Sequence, residues 1–204
     1  MSASRKNILS IFLLIGLVWI SVAAVAQTKE EQKIAEEVRK KIIQLSEFRV
    51  FDWIAFSVQG AKVTLTGYAS RPSLHKSAEV VVSKIKGVTE VENKIEILPL
   101  SNMDDEIRAL AYGKIYTHPV LQRYAPGGGV TPSGFRDEAA TIMHWGLDAS
   151  MSMRGPHAVH IIVKHGHVML IGQLSSAMDK QIAETMVQTL SGVFSVQNMI
   201  QVPE

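Results

Sequence analysis

The sequence predicts an α+β protein that carries two copies of one α-β-β-α-β module behind an N-terminal export signal. Three observations support this prediction: an internal repeat displaced by 105 residues, apolar residues that alternate between helical and strand spacing, and an apolar leader. A hydrophobic fraction of 47% is ordinary for a chain that folds around a core. We therefore expect the bulk of the chain to be globular.

The first 26 residues have the order of a secretory signal. Arg5 and Lys6 precede an apolar stretch over residues 8–22, which reaches residue 25 if it is counted as a membrane anchor, and a small-x-small sequence ends at Ala26. We expect cleavage after Ala26. An uncleaved anchor is the alternative, because a stretch of this length can span a membrane. Either way, the rest of the chain is expected to be periplasmic or secreted, and an uncleaved leader would attach it to the membrane.

Charge and cysteine content exclude several classes of protein. The chain has 21 Lys and Arg and 19 Asp and Glu, and loss of the leader removes two basic residues, which leaves 19 of each sign. A nucleic-acid binder usually has a basic domain, so we expect no nucleic-acid partner. The chain has no Cys, which excludes disulfides, thiolate catalysis and Cys-based metal sites.

Two short motifs recur along the chain. Val63-Thr-Leu-Thr-Gly67 recurs as Val168-Met-Leu-Ile-Gly172, and Gly87-Val-Thr-Glu-Val-Glu-Asn93 recurs as Gly192-Val-Phe-Ser-Val-Gln-Asn198. Both pairs are displaced by 105 residues, so the motif glycines are 20 residues apart in each copy. Chance similarity rarely keeps such spacing. We therefore predict two structural units, over residues 28–99 and 103–203.

The element order is clearest in the first copy. Apolar residues at every fourth position predict a first helix, with Ile34, Val38 and Ile42 on its inner face. Alternating apolar residues on both sides of Gly60 predict a hairpin. The helical spacing of Leu74, Ala78, Val81 and Ile85 then predicts a second helix that stops at Gly87. A last strand has one polar face. The order is α-β-β-α-β.

The second copy repeats the hairpin, second helix and last strand, but the position of its first helix is open. Residues 115–121 resemble the end of the first helix in copy one at an offset of 73 rather than 105, which predicts an insertion at about 123–156. The alternative keeps the offset of 105 and places the helix near 136–147. We favour the insertion because the acids at 104–106 suit a helix start.

The recurring motifs resemble those of the BON domain. The resemblance covers the run from Gly60 to Gly67 with the later motif that ends at Asn93, and the corresponding motifs of copy two. It implies two helices packed on one face of a three-stranded mixed sheet. The motif residues specify the fold and do not transfer a binding site. They are Gly67, Gly87, Val91, Asn93, Gly172, Gly192, Val196 and Asn198.

Paired copies in an exported chain resemble the periplasmic osmotic-stress and outer-membrane-maintenance proteins of that family. The resemblance implies a non-catalytic module without cofactors that binds membrane phospholipid or envelope proteins. We expect contact with phospholipid surfaces in support of envelope integrity under stress. A periplasmic protein-protein adaptor without lipid binding is the alternative, and the oligomeric state is open.

Four histidines near the second hairpin raise the question of a metal site. His157, His160, His165 and His167 are close in sequence, and imidazole is a common zinc ligand. Successive strand residues point to opposite faces, however, and no acid lies nearby to orient a ring. We expect neither a metal site nor a catalytic residue, since the chain also lacks a Gly-x-Ser-x-Gly nucleophile turn.

The predicted outer faces of the two sheets differ. Copy one has polar residues there, and copy two has the apolar residues Ile162, Met169, Ile171 and Met199. An apolar face must be covered or used for binding. We hypothesise that the insertion covers it, either as fixed packing or as a displaceable Met-rich surface for lipid or a partner. The candidate contact residues of that segment are Met143, Trp145, Met151 and Met153.

A second candidate surface follows the first helix of copy one. Phe48, Phe51 and Trp53 are close in sequence and have Arg49 among them, with two lysines upstream. Aromatic and basic side chains together suit a membrane interface. Packing between the two modules explains these aromatic residues equally well.

Overall fold

The computed structural model of the chain describes residues 29–126 and 153–203. The predicted signal segment and residues 127–152 of the predicted insertion lie outside these ranges. The first module consists of α1 (Lys29–Ile43), β1 (Trp53–Gln59), β2 (Lys62–Ala69), α2 (Pro72–Ser83) and β3 (Glu90–Ile97). This is the predicted α-β-β-α-β order.

Both helices of the first module form where apolar residues recur at helical spacing. In α1 the buried apolar residues are Ile34, Val38 and Ile42, as expected. In α2, Pro72 occupies the first turn, where a missing N–H costs nothing, and the preceding residue is extended. The fully buried residue at the end of α2 is Val82, whereas the sequence pattern placed the neighbouring Val81 there; Val81 is half-buried.

The second module repeats this order with a long interruption after its first helix. It consists of α3 (Asn102–Tyr116), a 3₁₀ helix (Leu121–Tyr124), β4 (Val159–Lys164), β5 (His167–Gln173), α4 (Ala177–Gln188) and β6 (Ser195–Gln201). Helix α3 packs against β4 and α4 and has the bounds of α1 shifted by 73 residues. The first helix therefore lies before the interruption, and Ser101 Oγ caps it by accepting a hydrogen bond from Asp104 N.

Each module has a three-stranded mixed sheet. Strand order is β1-β2-β3 in the first and β4-β5-β6 in the second. The hairpin strands pair antiparallel, and the helix that follows carries the chain to a parallel third strand. Because the helices pack against one side of each sheet to form the cores, the predicted α+β class is confirmed.

The modules are joined by a short backbone pairing, which we call the joint: residues 48–51 of the first module with residues 153–155 and β4 of the second. Val50 N donates to Met153 O at 2.9 Å, and Gly155 N donates to Phe48 O at 2.8 Å. Ile161 N of β4 donates to Val50 O at 2.8 Å. Val50 and Phe51 thereby enter the apolar core of the second module.

The first module covers part of the apolar outer face of the second sheet, whereas Met199 on the same face is 47% exposed. Ile162 and Ile171 are buried and form one cluster with Met169. The covering side chains are Trp53, Tyr68 and Leu98. An ion pair at the same boundary joins Lys164 Nζ to Glu96 Oε1 at 2.5 Å. The described part of the cover therefore comes from the first module. We had expected the insertion to cover this face, and residues 127–152 of the insertion lie outside the described residues.

Candidate functional site

The aromatic residues that follow α1 lie inside the joint. Phe48 and Phe51 are buried, in the first and second cores respectively. Trp53 is half-buried, and its ring lies 5.4 Å from that of His160. The sequence allowed either a membrane-facing patch or packing between the modules, and in the structure these residues pack between the modules. These side chains consequently do not form a solvent-facing patch.

The candidate contact residues of the insertion are only partly described. Met143, Trp145 and Met151 lie outside the described residues. Met153 is fully buried in the inner core of the second module, next to the joint, and not on the outer face of the sheet. Its placement differs from our expectation because its backbone pairs with Val50 and draws the side chain inward.

The four histidines divide between the two ends of the β4–β5 hairpin. His157 and His160 lie at the joint, whereas His165 and His167 flank the turn, where His167 Nδ1 is 2.8 Å from Ser195 Oγ. No group of three metal-binding side chains converges within the part of the chain that the structure describes. This division follows from strand direction, since the hairpin separates its two ends by the length of β4.

Burial and a neighbouring histidine perturb His160. Its ring is packed 5.2 Å from that of Phe48, and His157 N donates to its Nε2 at 3.5 Å. Loss of hydration, with a smaller contribution from the charge of His157, lowers the pKa of His160 to about 4. His160 is therefore a neutral structural residue of the joint at physiological pH.

A buried carboxylate shapes the loop that enters the joint. Asp52 is fully buried; its Oδ2 accepts from Arg49 N at 2.8 Å and its Oδ1 accepts from Ser70 N at 2.6 Å. Burial raises the pKa of Asp52, and the two N–H donors oppose this rise. The side chain thus holds the loop against the end of β2.

The recurring glycines and asparagines have the same structural tasks in both modules. A Cβ on Gly67 would lie 2.1 Å from Trp53 O, and one on Gly172 would lie 1.9 Å from Ala158 O. Asn93 Nδ2 donates to His75 O, and Asn198 Nδ2 donates to Lys180 O, so that each ties a strand to the neighbouring helix. The remaining motif residues also match between the modules: Val91 and Val196 are half-buried, and Gly87 and Gly192 both have positive φ.

One end of the second module exposes three large apolar side chains, which we call the apolar end: Leu100, Met103 and Phe194. Their exposed fractions are 94%, 46% and 69%. Asp104 ties the start of α3, which contains Met103 and follows Leu100 in the chain, to the β4–β5 turn, because its carboxylate accepts 2.8 Å hydrogen bonds from His165 N and Gly166 N. Phe194 lies against the same turn, with its N–H donating to Gly166 O.

A cleft of about 520 Å³ lies between α1 and the end of α2 in the first module, and we call it the basic cleft. Its floor is apolar and its rim is charged. The floor residues are Ile34, Val81 and Ile85, and the rim residues are Glu30, Lys33, Glu37, Lys41, Lys84 and Lys86. Sequence reasoning missed this site. The available signal was a pair of lysines two helical turns apart in α1, with two more directly after α2.

Comparison with protein families gives two matches to one family model. Residues 30–99 and 147–204 match the model of the BON domain, which is more than half of the chain. The second match leaves out α3, which the interruption separates from the hairpin it packs against. None of the helices in the described ranges has the length and hydropathy that a bilayer crossing requires.

Other comparisons add little. Two solved structures of CdsD, a structural protein of the type III secretion system of Chlamydia trachomatis, were matched. The C-terminal domain has 12% identity over 88% of this chain and 100% of that chain, with a TM-score of 0.24. The other has 13% identity, coverage of 84% and 94%, and a TM-score of 0.26. Scores this low carry no argument. A search of curated proteins found no match.

Proposed function

The chain belongs to the BON domain family, and on that premise we propose that it acts as an exported, non-catalytic module that contacts phospholipid surfaces and supports envelope integrity. BON domains are a non-catalytic type of binding module and are known in envelope-associated proteins. The contact with lipid is proposed at the apolar end. Its three protruding side chains are the observation that carries the proposal.

The apolar end is a property of the second module and is not required by the fold. Glu30 in the first module corresponds to Met103, and Thr89 corresponds to Phe194. Polar residues therefore satisfy the same structural positions. Exposed apolar groups gathered at one end of a domain suit insertion into the boundary between headgroups and acyl chains.

The expected membrane affinity is modest. Transfer of the exposed part of Phe194 from water to an apolar medium contributes roughly 1–2 kcal/mol, and the other two side chains contribute similar amounts. Such contacts give reversible attachment. The chain without its leader is formally neutral, so this attachment should depend little on salt.

Co-sedimentation with liposomes tests the proposal. Residues 27–204 are used because the apolar leader would itself partition into lipid, and neutral and anionic vesicles are compared at low and physiological salt. We expect binding to both compositions, with Phe194→Ser weakening it about tenfold, which corresponds to about 1.4 kcal/mol.

The control is Met178→Ser, which removes a side chain of equal exposure, 70%, from the start of α4 at the other end of the module. It should bind like the unchanged protein. Absence of binding under every condition would contradict the lipid proposal and favour a protein partner in the envelope. Equal losses in both variants would show that general surface hydrophobicity, and not the apolar end, drives sedimentation.

A further inference from the structure

Strand β6 forms an open edge of the second sheet: among the described residues, no strand pairs with its outer side. Gln201 O accepts from Leu174 N, just after β5, at 3.0 Å, so the backbone of Gln201 faces β5. Backbone groups alternate in direction along a strand, so those of Val196, Asn198 and Ile200 face away from the sheet. Ile200 N donates to Asn198 Oδ1 of its own strand at 3.2 Å, a contact that a facing carbonyl can replace. Such an edge is a template for another strand.

Edge strands are usually protected by charged side chains, and β6 carries none. The corresponding edge strand of the first module, β3, has three glutamates and a lysine. The contrast extends along the chain, because Glu184 is the only charged residue over 181–203, whereas the corresponding residues 76–98 include eight. These eight are Lys76, Glu79, Lys84, Lys86, Glu90, Glu92, Lys94 and Glu96. The fold therefore does not require an uncharged edge, and depletion of charge is typical of the centre of a protein interface.

The surfaces on both sides of β6 are also uncharged. Helix α4 packs on β6, and its exposed residues are Ala177, Met178, Gln181, Thr185 and Gln188. On the opposite face of the sheet, the side chains of Gln197 and Met199 are exposed. A partner strand added at this edge would therefore bury no unpaired charge of this module.

The sequence of β6 is complementary to itself. When two β6 strands pair antiparallel with Asn198 opposite Asn198, Val196 lies opposite Ile200 and Gln197 lies opposite Met199. The first pair brings apolar side chains together on the face that packs against the helices, and the second brings uncharged side chains together on the other face. A second copy of the chain therefore fits this edge.

The other edge strands suit a copy of themselves less well. In the same arrangement, β3 would place Glu90 opposite Glu96, and like charges directly opposite each other are destabilising. Strand β4 already pairs with the joint. Strand β1 is uncharged too, but only Ser57 and Gln59 are exposed in it, whereas four side chains of β6 are exposed.

We infer that two copies of this chain associate by antiparallel pairing of their β6 strands, which joins two three-stranded sheets into one continuous sheet. Two-fold symmetric contacts of one surface with itself are the commonest kind among soluble oligomers. The main-chain hydrogen bonds of an added strand supply affinity, and the facing side chains fix the register. This inference does not depend on the lipid contact proposed for the apolar end.

Sedimentation velocity of residues 27–204, from micromolar to submillimolar concentration, tests the inference. We expect a reversible monomer-dimer equilibrium that depends little on salt, because the paired strands carry no charge. Amide hydrogen exchange at Val196, Asn198 and Ile200 should slow as the concentration rises. A monomer at every concentration would overturn the inference.

Charge substitutions at two exposed positions of β6 locate the contact and its register. Gln197→Lys combined with Met199→Lys places lysines opposite each other and should raise the dimer dissociation constant at least tenfold. Gln197→Glu combined with Met199→Lys places unlike charges opposite each other and should restore association. Unchanged association of the double-lysine variant would overturn the inference, and failure of the unlike-charge variant to associate would overturn the antiparallel register.

The matched control is Ser57→Lys, which adds a lysine at an exposed position of the edge strand β1. It should associate like the unchanged protein, and a loss equal to that of the double-lysine variant would overturn the assignment to β6. Thermal unfolding of each variant verifies that it is folded, since all three positions are exposed.

Hydrogen exchange also distinguishes other occupants of the edge. A monomer whose β6 amides are protected at every concentration would identify a segment of the same chain on the edge and overturn the pairing of two copies. A monomer whose β6 amides exchange freely would leave the edge to a different protein, which would also overturn it.

Discussion

The two modules share one fold but differ at the same end of their helix pairs. In the first module, this end is a cleft with four lysines and two glutamates on its rim, and in the second it is a set of exposed apolar side chains. The motif glycines and asparagines, by contrast, make the same contacts in both. The comparison teaches that the fold is maintained by a few backbone-directed contacts, which leaves the helix ends free to diverge in chemistry.

The two modules also differ in how far each core is built from its own residues. The first module contributes Val50 and Phe51 to the core of the second, and it covers part of the second sheet with Trp53, Tyr68 and Leu98. The two modules therefore share a topology but are not interchangeable, because the first module inserts side chains into the core of the second.

The largest expected effect breaks the joint. Phe51→Ala should destabilise the second module by about 4 kcal/mol, because it empties a site in that module's core. Urea unfolding followed by hydrogen exchange would show loss of protection in β4–β6 before β1–β3. Equal loss in both modules would mean that they unfold as a single cooperative unit.

The shared role of the motif glycines gives the next largest effect. Gly67→Ala and Gly172→Ala should each destabilise the protein by about 3 kcal/mol, since the added Cβ meets a backbone carbonyl oxygen. Gly60→Ala is the control: its φ is +60° but nothing lies within 4 Å of the added Cβ, so about 1 kcal/mol is expected. Urea denaturation of the three variants compares them, and a mild effect at Gly172 alone would show that the modules differ there.

In each module, an acidic residue of the first helix accepts hydrogen bonds from the hairpin turn, and the two can be compared. Asp104→Ala should cost about 2–3 kcal/mol, because it leaves the N–H groups of His165 and Gly166 without their acceptor. Glu31, at the corresponding position of α1, accepts from Gly60 N at 2.6 Å but is less completely buried than Asp104, with 8% against 0% exposed, so Glu31→Ala should cost less than Asp104→Ala. Thermal unfolding of both variants measures the difference; equal costs would contradict this ranking.

The smallest effect is the pH dependence contributed by His160 of the second module, which stands in place of Ala55 of the first. The pKa of His160 is about 4 in the folded protein and near 6.5 in the unfolded chain, so the unfolded state binds more protons between these values. The stability contributed by the neutral ring is fully present above pH 6.5 and is lost as the pH falls. Between pH 7 and pH 5 the loss is about 2 kcal/mol.

Urea unfolding at both pH values, with His160→Phe as the reference, isolates this contribution. The difference between the two proteins removes the contributions that do not depend on the His160 ring. An unchanged difference between pH 7 and pH 5 would show that His160 is not responsible.

Sequence periodicity predicted the helices and strands well because each element has one buried face. Ile34, Val38 and Ile42 are buried where their spacing placed them. The error at the end of α2, where Val82 and not Val81 is fully buried, arose because three successive valines leave the register ambiguous. The candidate contact residues fared differently: an aromatic residue has the same hydrophobicity in a core and on a binding surface, so Phe48 and Phe51 could not be assigned from composition.

By itself, the sequence determined the repeat, the α-β-β-α-β order and the positions where only glycine fits, because these depend on local spacing and backbone conformation. Tertiary structure alone decided that residues 48–51 enter the second module and that the first module covers the second sheet. It also decided that lysines more than 40 residues apart share one cleft. Such contacts depend on how distant elements dock, and docking is set by the summed packing of many side chains that no local pattern encodes.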